Sequence, residues 1–126
     1  MLSHATYKVI HLLGIFLLFS GMGGLWAVAV SSSESFRTSI RRLAIAAHGA
    51  AMLLILVAGF GMMARLQISH SWPLWIWIKV VIWVLLAGYP VLLKRQQKPS
   101  GILFFLAPVL GTIAAYAALF HLGQTP

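Results

Sequence analysis

Four apolar stretches, at about residues 6–30, 42–64, 72–93 and 101–122, take up most of the chain. Each is close to the ~20 residues that carry a helix across a ~30 Å hydrocarbon layer. Among 126 residues that leaves only short connections. The expected fold is therefore all-α: an integral membrane four-helix bundle, forming one domain over residues 1–126. Composition agrees, since 61% of the residues are hydrophobic and 8% charged, against roughly 25% charged in a soluble domain. The first stretch has some marks of a signal peptide, with Lys8 ahead of it and Ala27-Val28-Ala29 resembling a cleavage site. Its apolar run is too long for a signal h-region, so it reads as a span.

The net charge of +8 would suggest nucleic acid in a soluble protein. Here the cations sit mainly at span ends, where they set topology and imply no nucleic-acid partner. Arg37, Arg41 and Arg42 lie between spans one and two, and Lys94, Arg95 and Lys98 between three and four. Arg65 is the sole Lys or Arg between spans two and three. The positive-inside rule puts the first and third connections in the cytoplasm and both termini outside a bacterial inner membrane. Lys8, at the outer end of span one, works against that orientation.

The connections, Ser31–Arg41, Gln67–Ser71 and Gln96–Gly101, are short enough to make consecutive helices antiparallel neighbours. Ser31-Ser32-Ser33-Glu34 suits a turn, and Pro73, Pro99 and Gly101 fall near span boundaries. Pro108 lies inside span four and is expected to bend it. Trp72, Trp75 and Trp77 stand at the outer start of span three, where Trp77 reads as an interfacial anchor. Small residues crowd span two (Ala44, Ala46, Ala47, Gly49, Ala50, Ala51) and span four (Gly111, Ala114, Ala115, Ala117, Ala118), as bundle packing or a homodimer interface requires. No internal repeat supports an inverted-repeat transporter.

Spans one to three each carry an ionisable residue away from their ends: His11, His48 and Lys79. A charge at mid-bilayer costs at least ~2.5 kcal/mol, which makes such residues candidates for function. The competing readings are a neutral histidine bonded to a neighbouring helix and a lysine that snorkels to water. At 1.5 Å of rise per residue, His11 lies ~8 Å below the outer end of span one and Lys79 ~10 Å below that of span three. They share a level. His48 enters from the other side, ~9–12 Å from the inner surface, and is poorly placed to share a ligand with His11. His121 ends span four at the outer surface and has access to His11, while His4 and His70 lie outside.

His11, Gly14, Leu18, Gly21 and Leu25 fall within an arc of about 80° on span one. Glycines beside a histidine leave a flat gap that suits either a neighbouring helix or the edge of a planar macrocycle held by the imidazole. On span three, Trp72, Trp75, Ile76, Trp83 and Leu86 flank Lys79 within roughly 40–60°. An ammonium walled by aromatics needs a carboxylate, a propionate or a ring face. The chain has one acidic residue, Glu34, assigned to the opposite side. That shortage argues against a carboxylate-driven pump and against a metal site of oxygen ligands. The absence of cysteine excludes disulfides, thiolate-ligated clusters and covalently attached c-type haem.

These features resemble one family across all four spans, the HemJ-type protoporphyrinogen IX oxidases. In span one the resemblance lies in the histidine of KVIHLLGIF and in GMGGL at its far end. In span two it lies in RRLAIAAHGAAMLLILVAGF, and in span three in the lysine, Gly-Tyr and basic end of WIKVVIWVLLAGYPVLLKR. In span four the proline of FFLAPVLG matches. The resemblance implies b-type haem, with His11 as an axial ligand to the iron and Lys79 essential to the site. It leaves the second axial ligand open between Lys79, His121 and a residue of a second subunit. Gly14, Gly21, Arg65 and Trp83 complete the expected cofactor surroundings, Arg65 and Lys79 facing propionates or substrate carboxylates. Protoporphyrinogen IX would be oxidised to protoporphyrin IX, with electrons passing to quinone. The family's Leu-Pro-Arg-Leu-Phe after the span-one glycine is absent, and Leu106 or Ala107 replaces its span-four glutamate. His48 matches no family position. The resemblance therefore carries the cofactor further than the reaction. The alternatives are a pure electron-transfer cytochrome b, or a non-enzymatic small membrane protein that serves as assembly subunit, scaffold among membrane lipid, or porphyrin or anion carrier.

Overall fold

A computed structural model of the chain describes residues 2–66, 72–95 and 101–120. All regular structure among them is helical: α1 (His4–Val30), α2 (Glu34–Leu66), α3 (Leu74–Ala87), α4 (Tyr89–Arg95), α5 (Gly101–Phe104) and α6 (Leu106–Leu119). The expected connection Gln67–Ser71 and residues 96–100 of the third lie outside the described residues, as do His70, Lys98 and His121.

Helix α1 starts where the Ser3 hydroxyl accepts the Thr6 N–H at 3.1 Å, an N-cap that satisfies one of the first unpaired donors. It stops at Ser31, which turns extended. The expected connection ran on to Arg41, but α2 begins at Glu34. Two local signals outweigh the polar character of residues 34–41. The Ser33 hydroxyl accepts the Phe36 N–H at 3.3 Å, and Glu34 in the first turn meets the positive end of the helix dipole. With 33 residues, α2 is ~50 Å long, well beyond the ~30 Å of a hydrocarbon core. Its first turns therefore carry Arg37, Arg41 and Arg42, all exposed, on rigid helix.

Helices α1 and α2 pair along a seam with heptad spacing. The buried residues His11, Gly14, Leu18, Gly21, Leu25 and Val28 of α1 alternate three and four apart. On α2, Ala44, His48, Ala51, Ile55 and Ala58 do the same, and all but the half-buried Ile55 are buried. Such spacing keeps one stripe facing the partner along a left-handed coil. A small residue recurs every seventh position on both helices, so the backbones come close. A Cβ on Gly14 would lie 2.9 Å from Ile55 Cγ1, one on Gly21 2.9 Å from the His48 backbone nitrogen, and one on Gly24 3.1 Å from Ala44 Cβ. Near the start of α1, Gly61 makes room for the ring of Tyr7.

The third apolar stretch is bent by 43° between α3 and α4. The cause is the Gly88-Tyr89-Pro90 sequence, because Pro90 has no N–H to give the Leu86 carbonyl four residues earlier. Pro108 acts in the same way on the fourth stretch. It leaves the Phe104 carbonyl without its helical donor, and the chain turns at Phe105, whose N–H bonds Ile102 O at 3.1 Å. Tyr89, only 1% exposed, ties the two breaks together by donating its hydroxyl to the Leu103 carbonyl at 3.0 Å.

Helices α1 and α2 are each long and apolar enough to cross a membrane, and α3 with α4 makes a third span if the bent pair is counted as one. Helix α6, with 14 residues, rises only ~21 Å and falls short of a full crossing by itself. Four spans were expected, the fourth bent at Pro108; the third is interrupted as well, at Gly88. Large apolar side chains such as Phe16, Leu53, Val81 and Leu119 point outwards, as a protein solvated by lipid allows. Leu18, Met22 and Tyr89 are the largest sealed side chains of the interior.

Candidate functional site

His11 is 8% exposed and sits where α1 faces the C-terminal half of α2. Its Nδ1 lies 3.1 Å from the Ile55 carbonyl oxygen. A carbonyl only accepts, so Nδ1 carries the proton and donates it. Nε2 is left as the nitrogen with the lone pair, the tautomer that a metal ligand or a proton acceptor requires. Gly59 lies beside the ring, and a Cβ there would be 3.8 Å from His11 Cε1.

Lys79 lies within electrostatic reach of His11, as their common depth suggested. It is half-buried and takes part in no hydrogen bond or ion pair among the described residues. Glu34, the sole acidic residue, precedes Ile55 by some thirty ångströms of helix, ~1.5 Å for each residue, and is out of range. A lysine in a membrane with no protein carboxylate to meet it is neutral, solvated, or paired with an anionic group.

The other expected contributors separate from this pair. Gly14 and Gly21 share the face of His11, but the gap they leave is filled by α2, against Leu54 and Ile55 at one and the His48 backbone at the other. They close a helix pair and do not seat the edge of a macrocycle. Arg65 is exposed in the last turn of α2, ~15 Å further along the helix than Ile55, and is not part of the cluster. Trp83 stands one turn deeper than Lys79, and its Nε1–H is committed to the Met52 carbonyl at 3.1 Å. Trp72 packs between Phe60 and Trp77, with ring centroids at 6.2 and 5.0 Å and planes tilted by 48° in both pairs. His121, a candidate second ligand, lies outside the described residues. An apolar groove between α3 and α6, walled by Leu74, Trp77, Val81, Leu110 and Ile113 among others, includes neither His11 nor Lys79.

His48 is buried, and its Nε2 lies 3.0 Å from the Leu86 carbonyl oxygen, the acceptor that Pro90 deprives of its helical partner. That accounts for a histidine which the sequence left without a role. The signal was present in Pro90, four residues after Leu86, although the donor that answers it sits on another helix.

Among the described residues no three His, Cys, Asp or Glu side chains converge to hold a metal ion. A bare ion is thus poorly served by this part of the chain. A metal that brings its own four equatorial nitrogens needs only an axial imidazole, and His11 fits that demand through its free Nε2 and fixed ring. Lys79 fits a carboxylate on the rim of such a group. The glycine face does not fit its plane. Comparison with models of known families, with characterised proteins and with solved structures finds no match.

Proposed function

We propose that this chain is a membrane b-type haem protein with a redox role, similar in kind to the HemJ-type oxidases. In this reading it is a four-span bundle in a bacterial inner membrane, with both termini outside. The observation that carries the reading is His11: its Nδ1 proton is engaged by the Ile55 carbonyl at 3.1 Å, which leaves Nε2 for iron, and Lys79 lies within electrostatic reach of it with no hydrogen bond or ion pair among the described residues. Haem bound there would supply one-electron exchange between ferric and ferrous iron. His11 would hold the iron, and the Ile55 carbonyl would fix the ring and raise its donor strength. Lys79 would meet a propionate or the carboxylate of a porphyrin substrate, and Trp83 would wall the inner side. In the enzymatic form of the proposal the substrate is protoporphyrinogen IX and the electrons leave to quinone.

The test is an absorption spectrum of the protein purified in mild detergent after expression with ample haem. A Soret band is expected, shifting on reduction, and His11→Ala should abolish it while Gly49→Ala retains it. A wild-type protein without a Soret band overturns the proposal. One observation favours a second reading, a colourless assembly subunit or an anion carrier: the glycine face of α1 is already closed by α2. A colourless protein that co-purifies with a partner supports that reading, and complementation of a missing protoporphyrinogen oxidase excludes it.

A further inference from the structure

The break at Gly88 leaves span three with a carbonyl in need of a donor. In an unbroken helix the Leu86 oxygen would accept from residue 90, but residue 90 is proline. The Gly88 N–H bonds Val84 O at 3.2 Å and gives Leu86 only a shared contact. His48 Nε2–H, arriving from α2 at 3.0 Å, supplies the donor. Inside a membrane no water replaces it.

The same bond sets a register. Trp83 Nε1–H donates in the opposite sense, from α3 to the Met52 carbonyl of α2, at 3.1 Å. His48 and Met52 are four apart on α2, Leu86 and Trp83 three apart on α3, so both bonds belong to one antiparallel alignment. Extending it one turn outwards brings Lys79 on α3 level with Ile55 on α2, and the Ile55 carbonyl is the group that holds His11. The α2 and α3 backbones do not pack closely, unlike those of α1 and α2. Long side chains therefore bridge the two helices. Nor is His48 free to drift, because Gly21 lays α1 directly on its backbone.

We propose that His48 is the positioning residue of the His11–Lys79 pair: it replaces the N–H that Pro90 lacks, and by pinning the bend of span three to α2 it holds Lys79 beside His11. The inference goes beyond the haem reading and holds whatever ligand the pair takes.

The natural absence of cysteine makes the test direct. Spin labels on Leu53→Cys and Val81→Cys, both exposed, report the α2–α3 alignment in the protein without added ligand. In the parent and in His48→Gln, whose amide can donate, the distance distribution should be narrow and shared. In His48→Leu it should broaden or shift by ~1.5 Å or more, the rise of one residue of slip. Unfolding in SDS provides the second readout. His48→Leu should lower the midpoint, and Pro90→Ala, which restores a backbone N–H to Leu86, should recover most of that loss in the double variant. An unaltered distance in His48→Leu overturns the proposal, as does a double variant no more stable than His48→Leu. Should His48→Leu fail to fold, a folded double variant supports the proposal. Should neither fold, His48→Gln decides by whether its distance matches the parent. The Soret band plays no part, so failure here and failure of the haem reading are separate outcomes.

Discussion

Replacing Gly21 by alanine adds one methyl group at the tightest point of the α1–α2 seam. The new Cβ would lie 2.9 Å from the His48 nitrogen, 3.2 Å from its Cα and 3.4 Å from the Ala44 carbonyl oxygen. All three atoms are backbone in the middle of α2, so no side-chain rotation relieves the clash. Restoring ordinary contact, which begins near 3.4 Å, requires the helices to part locally by about half an ångström. Overpacking of this kind costs ~1–3 kcal/mol. Alanine's better helix propensity returns ~1 kcal/mol, which obscures the effect if the variant is compared only with the parent. Gly49→Ala removes that ambiguity, because a Cβ there meets nothing within 4 Å and gains the same propensity without the clash. Gly21→Ala is therefore expected to be ~1–3 kcal/mol less stable than Gly49→Ala, measured by reversible unfolding in SDS and mild detergent followed by far-UV circular dichroism. Equal stability of the two variants would refute the close packing of this seam.

Two further outcomes are expected. Tyr89→Phe keeps the buried ring but removes the donor to the Leu103 carbonyl, and should destabilise by ~0.6–1.7 kcal/mol, the range of side-chain hydrogen bonds inside membrane proteins; an unchanged unfolding midpoint would mean that the carbonyl is satisfied without it. Changing Arg37, Arg41 and Arg42 together to serine removes the positive bias of the first connection; a topology reporter fused to the C-terminus should lose its single orientation, and a reporter that stays in place would refute that assignment.

The common level of His11 and Lys79 is an expectation that helical rise alone supplies once the span ends are placed. The helix pairing was legible in the sequence, as one of the two readings that Gly14 and Gly21 allowed. Glycine beside histidine admits a macrocycle or a helix, and only the matching seven-residue recurrence of Ala44, Ala51 and Ala58 on the other strand of the hairpin decides for the helix. The start of α2 was missed because three arginines resemble a loop, whereas Ser33 and Glu34 form a better helix start than the arginines form a stop. The bend at Gly88 was not foreseen, because Pro90 sits inside a continuous apolar stretch and the loss of a single N–H leaves no mark in its hydropathy. The partners of His48 and Trp83 are backbone carbonyls on other helices, and no side-chain pattern announces a carbonyl.

The hairpin of α1 and α2 has a bearing on how the chain is made. Its seam is closed by its own residues, its turn is three residues long, and it needs nothing from the rest of the protein to bury its glycines. The later helices are in the opposite position. Their proline breaks are answered in part from α2, through His48, and Trp83 finds its acceptor there at Met52. Synthesis runs in the direction this dependence requires. The hairpin leaves the ribosome before the broken helices, so it can enter the bilayer as a pair, and they can settle against it.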